Sequence, residues 1–118
     1  MVQNEGQRFE NMLAVSLLKF CRWWTEQGVA NFNLFYLRDI DKKEVDFLIT
    51  KEGHPFMMIE AKLSDTNLNP SMHRFQKQLN TPYNLQAIYN LNPIKQSCLQ
   101  EDGNIYTVPA LTFLSQLI

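Results

Sequence analysis

Glu44-Val45-Asp46-Phe47-Leu48-Ile49, a short turn, and then Met57-Met58-Ile59-Glu60-Ala61-Lys62 form the stretch that decides how this chain folds. An apolar run carrying one aspartate is followed by a second apolar run that ends in Glu-x-Lys. A charged side chain inside a hydrophobic strand loses its hydration and needs a compensating partner. Side chains alternate along a strand, so Met58, Glu60 and Lys62 share one face, with a carboxylate beside an ammonium. An antiparallel hairpin turning near Glu52-Gly53 places Asp46 across from Glu60, a register that follows from the symmetry of the two apolar runs.

Three charges gathered in this way outline a phosphodiesterase centre. Hard oxygen ligands from Asp46 and Glu60, completed by a backbone carbonyl (that of Ala61) and by waters, suit Mg²⁺ or Mn²⁺. Lys62 would then orient or deprotonate a water and stabilise charge on a phosphate. The same residues also admit a purely structural account, an Asp–Lys or Glu–Lys ion pair at a strand end. Both accounts stand at this level.

Upstream, Arg8 to Gln27 reads as one long helix, with Phe9, Met12, Leu13, Leu17, Phe20 and Trp24 at helical spacing. Ala14, Val15 and Leu18 widen that face, so the helix is expected to be substantially buried, and Gly28 marks its end. Glu10 lies on this apolar helix. Helix starts favour acidic residues through the macrodipole, which explains Glu10 without any function; the functional alternative is that it reaches the metal or its water. Asn33 to Arg38 is aromatic-rich and predicts a first strand, followed by a polar turn at Asp39 to Lys43. Glu44 to Thr50 and Pro55 to Leu63 complete a three-stranded meander around Lys51 to His54. Phe56 and Met58 are expected on one face of the last strand, with Met57, Ile59 and Ala61 on the other. Apolar residues on both faces predict a central strand covered on both sides.

Downstream, Ser64 to Asn69 reads as a loop, and Pro70 opens a helix through about Asn80 with Met72, Phe75 and Leu79 as its stripe. Asn84 to Asn90 predicts a fourth strand, broken by Asn92-Pro93. After an Asp102-Gly103 turn, Asn104 to Val108 predicts a short edge strand. Ala110 to Ile118 predicts a last helix with Leu111, Leu114 and Leu117 facing inward. The order α-β-β-β-α-β-β-α predicts an α/β domain with a central mixed sheet flanked by helices.

A chain of 118 residues with 45% hydrophobic content fits one globular domain, taken as 1–118. No apolar run approaches the ~18 residues of a membrane span, and the first residues lack a signal-peptide core. Cys21 and Cys98 form neither a disulfide framework nor a zinc signature, and they read as small hydrophobes in a reducing cytoplasm. The net charge of -1 argues against a dedicated nucleic-acid binder, but it is compatible with an enzyme whose metal ligands are acidic. His54 and His73 have no spaced partners for zinc. Arg74, Gln76 and Lys77 read as a solvated helix face, and Trp23-Trp24 as core plus one partly exposed ring.

Gly6-x-x-Phe9-Glu10-Asn11, Glu44-Val45-Asp46-Phe47 and Ile59-Glu60-Ala61-Lys62, with the Tyr106-Thr107-Val108-Pro109-Ala110 ending, resemble a known domain. It is the C-terminal domain of a group of prokaryotic AAA-type ATPases, the DUF4143 family, itself similar to the PD-(D/E)XK nucleases. The resemblance covers nearly the whole chain. It implies a restriction-endonuclease-like core, Asp46 and Glu60 as metal ligands, Lys62 as catalytic lysine and Glu10 as an extra acid. Residue 45 is valine where the superfamily name has proline, and no Gly-x-x-x-x-Gly-Lys-Ser/Thr motif occurs. The resemblance therefore implies a Mg²⁺-dependent (endo)nuclease acting on DNA, working alone or as a homodimer. Its alternative is a non-catalytic docking or regulatory module for an AAA-type ATPase partner.

Overall fold

The computed structural model describes residues 5–38, 44–64, 67, 69–89, 100–102 and 105–115. Helix α1 (Glu5–Glu26) precedes strands β1 (Phe32–Arg38), β2 (Glu44–Lys51) and β3 (His54–Lys62). Helix α2 (Pro70–Leu79), strand β4 (Tyr83–Ile88), strands β5 (Gln100–Asp102) and β6 (Ile105–Pro109) and helix α3 (Ala110–Ser115) follow. The six strands form one mixed sheet in the order β1-β2-β3-β4-β6-β5. The meander β1–β2–β3 is antiparallel, β4 runs parallel to both β3 and β6, and β5 returns antiparallel to β6. The expected α/β architecture is thus present, but β6 is not the edge strand its sequence predicts: β5, an added three-residue strand, pairs with its outer side and takes the edge. The expected Asp39–Lys43 turn, the Asn92-Pro93 break, Cys98 and Leu117 lie outside the described residues.

The hairpin turn is where local chemistry dictates geometry. Glu52 and Gly53 both take positive φ, 53° and 78°, as a two-residue hairpin turn requires to match strand twist. The Glu52 side chain also accepts from the Asn31 backbone N–H at 2.9 Å, and its own N–H donates to the Asn31 carbonyl at 2.8 Å. The turn is therefore fastened to the start of β1.

Two bulges break the alternation that the sequence predicts. Ile49 pairs with Met57 and Thr50 with Pro55, so β3 carries one extra residue at Phe56. Phe56 consequently packs with Met57 and Ile59 on the α1 face of the sheet, not with Met58 as its parity suggests. Phe35 pairs with Leu48 and Leu37 with Val45, so β2 carries an extra residue at Asp46–Phe47. Val45 and Leu48 therefore join Met58, Met72 and Phe75 under α2, while Phe47 and Ile49 join the α1 side.

The α1 core is narrower than its apolar sequence implies. Phe9, Leu13, Leu17 and Cys21 form one buried file, and Phe20 and Trp24 flank it. Met12, Val15 and Leu18 are exposed instead of widening that file. Trp23 is part-exposed against the edge of Trp24, as expected. Gly28, at φ 79°, ends the helix, and the Thr25 hydroxyl accepts from the Phe32 N–H at 2.9 Å to aim the chain into β1. In α2, Met72 and Phe75 are buried with Leu79 beside them, as its stripe predicts. In α3 the stripe is displaced: Leu111 is 78% exposed, and Ala110 and Phe113 face inward. No described helix is long and apolar enough to cross a membrane.

Candidate functional site

The open end of the β2–β3 hairpin brings Asp46 and Glu60 together. The Ala61 N–H donates to Asp46 Oδ2 at 2.8 Å, and the Asp46 N–H donates to Glu60 Oε1 at 3.3 Å. Each carboxylate thus accepts from backbone of the opposite strand. The bulge at Asp46–Phe47 makes this possible, because the extra residue frees Asp46 from strict alternation and re-aims its side chain. Opposite the bulge, the Tyr36 ring packs on Phe47 at 5.7 Å.

Glu60 is 8% exposed, a depth at which an isolated carboxylate is costly. Its other oxygen, Oε2, accepts from the side-chain amide of Asn69. The same amide donates to the Glu44 carbonyl at 3.0 Å, and Asn69 Oδ1 accepts from the Ser71 N–H at 3.0 Å, capping α2. Asn69 therefore fixes the start of α2 against both β2 and Glu60. Sequence reasoning assigned Asn69 to a loop, although an asparagine directly before a helix-opening proline is an N-cap signal. Beside Glu60, β4 places Gln86 and β6 places Thr107, both buried, so one polar row crosses the sheet.

Burial raises the Asp46 carboxyl to about 8. Hydrogen bonding to Glu60 and the charges of Glu60 and Glu44 add to that effect, while the Ala61 N–H opposes it. At neutral pH Asp46 mostly keeps its proton. Glu10 is also raised, first by partial burial and then by Asp46 and Glu44. It lines a cleft of about 360 Å³ with Tyr36, Leu37, Arg38, Glu44, Val45 and Asp46. At that rim Arg38 pairs with Glu44 at 3.1 Å, both side chains being largely in solvent.

Lys62 stands two residues beyond Glu60 on the same strand face, and its Nζ donates to the Asn67 carbonyl at 2.7 Å. The geometry thus joins Asp46, Glu60 and Ala61 directly, brings Glu10 within electrostatic reach of Asp46, and puts Lys62 at the adjacent strand end. Among the described residues no three His, Cys, Asp or Glu side chains converge as a metal-binding group. A divalent cation here would rest on Asp46 and Glu60, with further oxygens from water and phosphate, a donor set that fits Mg²⁺ or Mn²⁺. His54, His73, Arg74 and Lys77 lie on exposed surface.

Comparison with known proteins yields one family. The domain of unknown function DUF4143 matches residues 5–111, and the chain belongs to that family. No curated protein and no solved structure matches it.

Proposed function

We propose that this DUF4143 domain is a metal-dependent nuclease that hydrolyses DNA phosphodiester bonds at the open end of the β2–β3 hairpin. The observation that carries this reading is the Asp46–Glu60 pair, held by reciprocal backbone bonds with Lys62 two residues on. Asp46 and Glu60 hold Mg²⁺ or Mn²⁺, and Glu10 adds negative potential to the same cleft. When bound, the cation supplies Lewis-acid stabilisation of charge on the phosphate. Burial and the neighbouring carboxylates make Asp46 a poor anion in its absence, which favours exchange of its proton for a cation. Lys62 releases the Asn67 carbonyl and orients the attacking water, so no covalent enzyme intermediate is needed. The order of Glu10, Asp46 and Glu60-x-Lys62 along the chain resembles the motif order of PD-(D/E)XK nucleases and suggests the same assignment of roles.

The test is cleavage of plasmid and of single-stranded DNA in Mg²⁺ or Mn²⁺, beside an Asp46→Asn protein prepared identically. Wild-type cleavage with a silent Asp46→Asn protein is expected. Lys62→Ala should lower the rate by about 10²–10⁴-fold while metal binding, read by calorimetry, stays close to wild type. Equal activity in wild type and Asp46→Asn would sink the assignment. A second reading has its own support: every Asp46 and Glu60 contact described above is satisfied within the chain. On that reading the domain is a non-catalytic docking module for an AAA-type ATPase, and neither protein cleaves DNA.

A further inference from the structure

Phe9 and Glu10 are successive residues on α1, about 100° apart around its axis, so they face different clefts. Glu10 faces the acidic one. On the Phe9 side lies a second cleft of about 430 Å³, lined among the described residues by Glu5, Arg8, Phe9, Met12 and Tyr89. Phe9 is its buried floor. Tyr89 is its wall, with the two rings tilted by 34° at 5.2 Å and Tyr89 still 46% exposed.

Tyr89 directly follows β4, and its N–H donates to the Lys62 carbonyl at 2.9 Å. One backbone bond therefore couples the aromatic wall to the strand that carries Glu60 and Lys62. Among the described residues its lining carries one cation, Arg8, and one carboxylate, Glu5. A cleft walled by a half-exposed aromatic ring suits a planar base, which can stack on it. Arg8, exposed on the next-door position of the helix, suits the phosphate attached to that base.

We infer that this second cleft is a nucleobase subsite: a base neighbouring the scissile phosphate stacks on Tyr89, and Arg8 contacts the adjoining phosphate. The inference rests on the nuclease reading and adds to it a substrate form, a strand with an unpaired base at the site. Aromatic stacking of a single base tolerates any base identity, so the subsite selects unpaired strand over duplex without reading sequence.

The experiment is fluorescence anisotropy of a labelled single-stranded oligonucleotide with the intact chain in EDTA, where binding is separated from cleavage. Tyr89→Ala should weaken binding roughly 5- to 150-fold, and Tyr89→Trp should restore it. Arg8→Ala should reduce the slope of log K against log salt by about 0.7. Because Tyr89 also covers Phe9, Tyr89→Leu keeps an apolar cover without a ring; it should fold and still bind weakly. Binding by Tyr89→Leu equal to wild type overturns the subsite, as does failure of Tyr89→Trp to bind better than Tyr89→Ala. If wild type cleaves DNA while these variants bind normally, the subsite falls and the nuclease reading stands. If wild type neither binds nor cleaves, both fall together.

Discussion

At its closed end the β2–β3 hairpin pairs Ile49 with Met57 and turns through Glu52 and Gly53; at its open end, beyond the Phe47–Ile59 pair, carboxylate–backbone bonds join Asp46 to Glu60 and Ala61. The closed end packs Ile49, Met57 and Phe56 into the core, bulges once at Phe56, and is fixed by a turn in which Gly53 takes positive φ freely and Asn31 holds Glu52. The open end holds two carboxyl groups in contact, one of them pushed up to about 8 by burial and by its neighbour. One hairpin thus stores its stability at the turn and spends some of it at the mouth. Local conflict of this type, placed beside a cleft in an otherwise consistent fold, is what a binding site looks like energetically.

The contrast is open to attack from both ends. The largest effect should come from the closed end: Ile49→Ala removes a fully buried side chain and should cost about 2–5 kcal/mol in urea unfolding. A loss below ~1 kcal/mol would mean that this end is not the anchor.

Asp46→Asn should do the opposite. The folded protein holds the Asp46 proton up to about 8, against an ordinary value of 3.8. The folded state therefore binds that proton more tightly than the unfolded chain, and metal-free wild type loses stability as pH rises from about 4 to 8. An amide at this position mimics the protonated acid. Melting temperatures of the two proteins should converge near pH 4, with Asp46→Asn several degrees higher at pH 8.5 in EDTA. A variant less stable than wild type at pH 8.5 would show that the open end is not under electrostatic stress.

The smallest effect belongs to the turn itself. Gly53→Ala meets no atom within 4 Å of the added carbon, so its cost is conformational alone, about 1–2 kcal/mol for a residue at φ 78°. Chemical denaturation measures it directly. A neutral result would show that the turn relaxes to another type, and it would weaken the claim that the positive φ at Gly53 anchors the closed end.

The hairpin itself was legible in the sequence, because two apolar runs of similar length flank a two-residue turn. That turn alone would set Asp46 opposite Ile59; the extra residue at Phe56 shifts the ladder by one and brings Asp46 to Glu60. The bulges were not legible. One extra residue in a strand leaves no compositional mark at Phe56 or Asp46, yet it moved Phe56 to the other face and set Val45 beside Leu48. Met12, Val15 and Leu18 misled because helical periodicity reports which residues can share a face, not how wide a face the sheet covers. Leu111 misled in the same way at the start of α3. Of the candidate site, Asp46, Glu60 and their neighbour Lys62 followed from pattern. The amide of Asn69, which joins α2 to Glu60, did not, because its role depends on two strands and a helix meeting in space.

Cys21 sits at the end of the file that docks α1, is buried, and has its thiol pushed up to about 11 by that burial. Thiolate is the form that reacts, so alkylation in the docked state is nearly stopped. In a protein whose Cys98 has been replaced, the rate of Cys21 modification becomes a clock for the lifting of α1 from the sheet. Glu10, Phe9 and Arg8 ride on that helix, so the same clock times how long both clefts stay assembled.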